Sequence, residues 1–537
     1  MKTLPQLLDD QAAARQDHPA LVLPGHTYSY KQFRDQANLV ARGLLALGVE
    51  PGDRVGYFFL DCPDSLPVLY GILKTGAIAV PVNNRFKSYE LGKVLSQSGL
   101  SVLFTAPPES EDATDLVALL NEVRADLTAL SKIISIDPNN DADFMSWQEF
   151  CDGAAAVSET NQSERQAAIK VGDTAVIKYT SGTTGAPKGA MLSHGAIANA
   201  AEGSAAVHLK LTPEDRVWTA LPLFHIGGVA FGTACITVGC TFIHPGYFDP
   251  GVSVEQIIEH KVTVAMPAFE TIWLPVVDHP RWQDVDLTTL RMVEAVGTEA
   301  RLMDIQSRHP DAVVVSCFGM TEACGFLSLA LPTDPLDTRI NTGGHPLPGM
   351  EARICDPETG EVLPPGGIGE ICFRGPNTFD GYYLEPDLTA ECFDDDGFFK
   401  TGDLGHMDEA GRVTYRNRVK DMLKVGGENV AAAEVEDYLI GHPAVLIAQV
   451  VAAPDAKYVE VPAAFLQLKP GQSTTEAEII DFCRGTIATF RVPRYVRFVD
   501  EWPMSGTKIK KFELRQRIAG ELAESGRSSV ATNIRSN

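Results

Sequence analysis

The 537-residue chain carries 45 Lys plus Arg against 70 Asp plus Glu, giving a net charge of −25 and a pI near 4.9. Its 45% hydrophobic and 21% charged residues are ordinary globular values, which exclude wholesale disorder and leave room for three or four domain-sized units. An acidic surface disfavours a nucleic-acid partner, yet a local cluster of N–H groups with one or two cations still holds a phosphate inside such a protein.

In chain order, the first residues carry acids where a signal peptide needs an apolar run, so the expected location is the cytoplasm. Apolar spacing predicts a helix over 33–47, and short apolar runs predict strands at 54–60, 76–82, 102–105 and 132–136. Strands alternating with helices give an α/β class with parallel pairs. Residues 217–248 contain no Asp, Glu, Lys or Arg and are long enough to cross a bilayer. That run also holds Pro222, Pro245, His225, His244 and five glycines, so it reads as a buried helix and strand beside a cavity rather than a membrane span. Segments 351–355 and 369–374 flank a Pro/Gly-rich turn and predict a hairpin or small β-barrel. From 420 onward, a helix at 433–439, strands at 446–451 and 462–468, a helix at 475–490 and a strand at 495–499 form a compact α+β unit. The tail after about 521 is rich in Ser, Asn and Arg and reads as frayed. The ten cysteines are scattered without metal-ligand spacing, as in a reducing compartment.

The most informative stretch is Thr180-Ser-Gly-Thr-Thr-Gly-Ala-Pro-Lys-Gly189, where four hydroxyls, three glycines and one lysine sit between two strands. Glycines let successive N–H groups point into one concavity, hydroxyls add donors and a lysine neutralises charge, as a polyphosphate requires. It is not a Walker A loop, which needs Gly-Lys-Ser/Thr opening a helix. Ser193 then caps a helix predicted over 194–208, and His194 reads as structural.

At this loop the sequence resembles the adenylate-forming superfamily, which includes acyl- and aryl-CoA synthetases, luciferase and peptide-synthetase adenylation domains. Further motifs follow in order: Phe318-Gly-Met-Thr-Glu322; Tyr382 with Thr401-Gly-Asp403; Arg418 to Asn429 leading to Glu434-Val-Glu436; and Pro503 to Ile509. The resemblance implies a large amino-terminal ATP- and acyl-binding domain, 1–419, with multi-layer α/β sheets and a small β-barrel, and a mobile α+β lid, 420–537. It implies ATP, Mg2+ and coenzyme A as cofactors and a small-molecule carboxylic acid as partner, without nucleic acid or a membrane span. A homodimer stays open. The implied reaction is acyl-AMP formation with release of pyrophosphate, then transfer to the CoA thiol.

The resemblance also implies roles for named residues. Lys508 is the adenylation cation, a charge that offsets two anions as they meet. Glu322 is a magnesium ligand, and Thr184 joins these two in the catalytic set. Thr180, Ser181, Gly182, Thr183, Thr184, Gly185 and Lys188 hold phosphate, while Thr298, Glu299, Phe318, Gly319, Met320 and Thr321 flank the nucleotide. Asp403 and Arg418 hold ribose or phosphate, and Lys420 is the hinge. Lys424, Gly426, Gly427 and Glu428 have the form common in CoA synthetases. The acyl pocket is built from His225, Gly227, Gly228, Phe269, Glu270, Val296, Gly297, Cys317 and Gly325. Gly227 and Gly228 remove side chains, which suggests a roomy pocket for a medium-chain, branched or polycyclic acid. His225 either lies beside the acyl group or is a satisfied core histidine. Val296-Gly-Thr-Glu-Ala300 and Ser316 depart from the family's usual residues. Rival readings are a ligase that loads a carrier protein and a silent nucleotide or acyl-CoA sensor; the presence of Lys508, Glu322, Asp403 and Arg418 argues against the sensor.

Overall fold

The structure is a computed structural model that describes residues 1–106, 115–136, 143–180, 187–418, 422–425, 428–455, 457–484, 486–487, 489–505 and 508–524; for Arg418, Lys424 and Glu428 the backbone alone is described. Two large sheets build the amino-terminal part. An eight-stranded sheet runs, edge to edge, through Gly381–Tyr382, Lys188–Ser193, Thr174–Thr180, Ile78–Pro81, Arg54–Phe58, Val102–Thr105, Lys132–Ser135 and Met145–Ser146. The members from Arg54–Phe58 to Met145–Ser146 pair in parallel, as the alternation of strands and helices requires, Thr174–Thr180 joins Ile78–Pro81 in parallel too, and only Lys188–Ser193 and Gly381–Tyr382 add on through antiparallel pairs. A seven-stranded sheet places Val264–Ala268 next to Met292–Ala295 and Val313–Val315, all parallel.

Helices fill the space around these sheets because their sequences supply an apolar stripe and a clean start. Tyr30–Ala46 opens on a reciprocal cap between Ser29 and Gln32, each side chain accepting the other's backbone N–H, and buries Phe33, Ala37, Val40 and Leu44. The charge-free run becomes the helix Ile226–Val238 and the strand Thr241–Ile243, both inside one apolar core that reaches from Leu4 to Val413. Gly239 ends that helix at φ 81, where a side chain would also strike Gln11 and Arg15. Among the described residues no helix is long and apolar enough to cross a membrane. All ten cysteines are free thiols.

The hairpin expected at 351–374 grows into a four-stranded antiparallel sheet ordered Glu351–Cys355, Gly369–Arg374, Phe399–Met407, Val413–Arg418. Beside it lies a ribbon of Cys317–Phe318, Ser328–Leu329 and His345–Pro346. Gly343 and Val413 tie the two together, the N–H of Gly343 donating to the Val413 carbonyl at 2.7 Å. The carboxy-terminal part is a five-stranded sheet with its own cores, covered by helices that include Ala432–Ile440, Glu476–Cys483 and Lys511–Glu524. The helix expected over 475–490 stops at Cys483. Arg484 turns to ψ 137, and a separate short turn, Thr489–Arg491, follows.

Candidate functional site

The glycine- and hydroxyl-rich loop closes the hairpin between Thr174–Thr180 and Lys188–Ser193, with Thr180 and Lys188 opposite each other in register. Both ends are thus fixed on sheet strands. Ser181, Gly182, Thr183, Thr184 and Gly185 lie outside the described residues, as do Lys420, Gly426 and Gly427. The Lys188 ammonium stands 5.4 Å from the centre of the Tyr382 ring, and Tyr382 Oη donates a 2.8 Å hydrogen bond to Glu322 Oε1. Burial, together with the Glu322 carboxylate, raises the Tyr382 phenol far above its usual value, so it stays a donor. Glu322 is 7% exposed. Loop lysine and carboxylate, far apart in sequence, therefore meet at one place.

The turn carrying Glu322 is strained. A Cβ on Gly319 would fall 1.8 Å from the Gly325 carbonyl oxygen, and Cys324 sits at φ 53, in the left-handed region. The Met320 carbonyl accepts the N–H groups of both Ala323 and Gly325. A non-glycine residue held there by its surroundings is a mark of a functional turn. On the same segment Thr321 is buried, and Phe318 lies parallel to Tyr415 with ring centres 5.7 Å apart. Asp403 and Arg418 face each other in register across Phe399–Met407 and Val413–Arg418. Asp403 is buried, and its N–H donates to Thr401 Oγ1 at 3.0 Å. Lys424 and Glu428 lie on the two arms of one hairpin.

Lys508 reaches this region from the carboxy-terminal part on a short strand paired with Met504–Ser505. Its Nζ stands 5.6 Å from the centre of the Phe269 ring. Burial, with help from the charges of Lys508 and Lys178, drives the His225 imidazole down to about 3, so the ring is neutral at physiological pH. His225 also caps the helix that follows it, Nδ1 accepting the Gly227 N–H at 3.1 Å. Cys317 Sγ donates to Glu294 Oε1 at 3.0 Å, and burial pushes the Glu294 carboxyl up to about 7. Lys508, Phe269, His225 and Cys317 thus converge.

The other expected residues are engaged differently. The space anticipated at Gly227 and Gly228 is absent. A Cβ on Gly228 would stand 2.5 Å from the Pro222 carbonyl oxygen, and one on Gly227 would stand 2.6 Å from Leu221 Cδ1. Gly228 lets the helix start against the backbone of residues 221–222 and Gly227 makes room for the Leu221 side chain; they do not enlarge a pocket. Gly228→Ala is therefore expected to destabilise the protein by about 1–3 kcal/mol through overpacking. Thermal unfolding reads this, and residual activity should fall alike for short and bulky acids. The Glu270 carboxylate is not an open pocket wall either, since it pairs with Arg301 at 2.7 Å. Thr298 caps the helix Glu299–Arg308 and lies close enough to Asp437 of the carboxy-terminal part to steady its carboxylate, while the Glu299 charge acts on that same carboxyl. Thr298 and Glu299, expected beside the nucleotide, thus line the seam between the two parts. The Val296 N–H donates to the Ala268 carbonyl at 2.7 Å, which fixes the wall beside Phe269. A Cβ on Gly297 would touch only Arg301 and Leu302 at ordinary distance, and one on Gly325 would stand 3.1 Å from Ala230.

Five residues join the site that the sequence did not mark: Lys178, Glu294, Arg301, Tyr415 and Asp61. Asp61 accepts the Leu223 N–H with both carboxylate oxygens at 3.1 Å, which pins the segment leading to His225. Asp61 also borders a 140 Å3 cavity with Phe224 and with Met504 of the carboxy-terminal part. A lone acid or arginine carries no local signal for such a partner; a single Lys inside an otherwise apolar strand, as at 178, is the one local signal that could have pointed to the site.

Residues 8–383 match the family model described as AMP-binding enzyme, and residues 434–508 match the AMP-binding enzyme C-terminal domain. The chain is 35% identical to the 3-[(3aS,4S,7aS)-7a-methyl-1,5-dioxo-octahydro-1H-inden-4-yl]propanoyl:CoA ligase of Mycobacterium tuberculosis, over 96% of this chain and 99% of that one. It superposes on the anthranilate CoA ligase AuaEII in complex with anthranoyl-AMP with a TM-score of 0.86 at 28% identity, covering 98% of both chains. ATP-bound MatB from Rhodopseudomonas palustris gives a TM-score of 0.83 at 28% identity, over 96% of this chain and 99% of that one. The chain therefore belongs to the AMP-binding enzyme family, in the acyl-CoA synthetase branch of the adenylate-forming superfamily, as an AMP-forming acid–CoA ligase.

Proposed function

We propose that the enzyme joins a carboxylic acid to the α-phosphate of ATP, releases pyrophosphate, and passes the acyl group from acyl-AMP to the thiol of coenzyme A. The observation that carries this reading is the convergence of Lys508 with Phe269, neutral His225 and Cys317. A cation delivered there offsets the charge that builds as the carboxylate meets the phosphate. Asp403 and Arg418, adjacent in register, would hold the ribose, with Phe318 and Thr321 beside the base. The loop from Thr180 to Lys188 would hold the phosphates. Turning of the lid about Lys420 would bring Lys424 and Glu428 in for the second step.

A magnesium ion fits Glu322. Among the described residues no group of three His, Cys, Asp or Glu could cage a metal. One hard carboxylate beside a phosphate loop is what Mg2+ takes when substrate oxygens and water complete its shell. Glu322 would hold the ion, and the ion would neutralise phosphate charge. Tyr382→Phe deletes only the hydroxyl that orients this carboxylate. It is expected to raise the KM for magnesium-ATP about five-fold, worth about 1 kcal/mol. An unchanged KM would separate Tyr382 from the nucleotide site.

For the acid we favour a medium-chain, branched or fused-ring class. The support is the 35% identity to a ligase named for a fused-ring propanoate. Pyrophosphate release with acetate, octanoate, a branched acid, a cinnamate and a fused-ring propanoate, each with and without CoA, tests the proposal. Thioester formed only with CoA supports it; acyl-AMP passed to a carrier protein but not to CoA rejects it.

A further inference from the structure

Lys178 sits on Thr174–Thr180, just before the phosphate loop, and no motif includes it. Its neighbours Ile177 and Tyr179 turn into the apolar cluster of Phe58 and Leu103. Strand alternation therefore sends Lys178 to the opposite face, toward Phe224 and His225. It is 4% exposed, and Nζ stands 5.6 Å from the centre of the Phe224 ring. Its charge is felt at His225, as is that of Lys508.

Among the described residues no carboxylate pairs with Lys178 and no hydrogen bond holds its ammonium; burial alone pushes it down, to about 7. The contrast with Lys74 is direct. Lys74, also buried, is held by Asp9 at 2.6 Å and Gln166 at 3.1 Å. An ammonium taken out of water without a partner costs several kcal/mol, a cost that a bound anion would offset. Lys508 and Lys178, the latter an ammonium for about half of the time near pH 7, thus flank one neutral imidazole, and among the described residues no carboxylate lies beside Lys178. The missing anion would come with the substrates.

We propose that Lys178 is a second anion-binding residue of the adenylation site, its ammonium taking a carboxylate oxygen of the acid or a phosphate oxygen of the nucleotide from a different side than Lys508. The inference rests on the adenylating reading above. It ties two effects of one substitution together: Lys178→Met removes a buried polar head that no described group satisfies in the free protein, and it also removes a ligand contact.

The experiment is calorimetry of wild type, Lys178→Met and Lys178→Arg with magnesium-ATP, and separately with the acid that releases most pyrophosphate in the panel, alongside thermal unfolding without ligand. Free Lys178→Met is expected to unfold at or above the wild-type temperature, while one of the two affinities falls ten-fold or more and Lys178→Arg recovers part of it. Loss confined to ATP assigns a phosphate oxygen, and loss confined to the acid assigns its carboxylate. Both affinities within two-fold of wild type, at whatever unfolding temperature, would overturn the proposal and make Lys178 a core residue. Should Lys178→Met not fold, Lys178→Gln replaces it under the same criteria. A wild type that binds neither ATP nor any acid would instead reject the adenylating reading itself.

Discussion

Lys508→Ala is expected to lower the rate of acyl-AMP formation by about 10²–10³-fold, the range for removing one preorganised charge from a developing anion. The same variant, given acyl-AMP and CoA, should form thioester at close to the wild-type rate. The asymmetry follows from where Lys508 lies. It reaches Phe269, His225 and Cys317 only from a hairpin of the carboxy-terminal part. A lid that turns between half-reactions would carry it away before the thiol attacks. Removing it should leave the fold intact, because the side chain is largely exposed. Rapid-quench measurement of acyl-AMP from ATP, set beside thioester formation from supplied acyl-AMP, separates the two steps. Equal loss in both would show that Lys508 holds the lid or the fold and does not serve adenylation alone.

How far the sequence foretold this arrangement depended on the range of the signal. Local patterns were reliable: the Ser193 cap, the strand at 102–105 and the buried run at 217–248 lie where they were expected, while the helix expected over 33–47 starts earlier, at Tyr30, and the strand expected over 54–60 ends at Phe58. A local pattern also overran at 475–490, because apolar spacing continues past the residue where the backbone leaves the helix. The helix after Ser193 reaches His208, but its last turn, Gly203–His208, widens to a π-helical turn that spacing does not encode. Direction was the harder problem. Gly228 was read as an empty pocket wall, yet its missing side chain faces a carbonyl, since a glycine records only that something is close and not what. Glu270 was placed in the pocket, but its charge is answered by Arg301 from another strand-to-helix connection. Phe318 was legible as an aromatic of the site, whereas Tyr415, against which it stacks, was not, because their pairing arises only when the ribbon and the four-stranded sheet meet.

The seam between the two parts supports the second large prediction. Arg301 is 10% exposed, pairs with Glu270 at 2.7 Å and donates to the Leu446 carbonyl across the seam at 2.9 Å. Four carboxylates from three elements crowd this place: Glu270, Glu299, and Glu436 with Asp437 on the helix Ala432–Ile440. Lys511 answers Glu436 at 2.6 Å. Arg301→Met leaves Glu270 buried without its partner, a loss of about 3–5 kcal/mol for a buried pair. Arg301 and Glu270 lie in the same part and only the Leu446 carbonyl is across the seam, so the docked orientation loses about one charged-donor hydrogen bond, and adenylation is expected to drop about ten-fold as the competent population shrinks. Thioester formation from supplied acyl-AMP should be spared. The carboxylates also set the pH dependence. Burial first, then Glu436, Glu299 and Glu270, push Asp437 up to about 6, against an ordinary value of 3.8. Because that carboxyl binds its proton more tightly when docked, protons favour docking. The favourable contribution is complete below the ordinary value and is lost as pH rises through about 6. Adenylation by Arg301→Met should therefore rise by about two-fold as pH is lowered from about 7.5 to about 6, with most of the linked gain lying below pH 6. The wild type, with Arg301 in place against this cluster, should respond less. A variant whose two half-reactions fall together, or whose adenylation is flat across that interval, would mean that the seam does not set the lid's orientation.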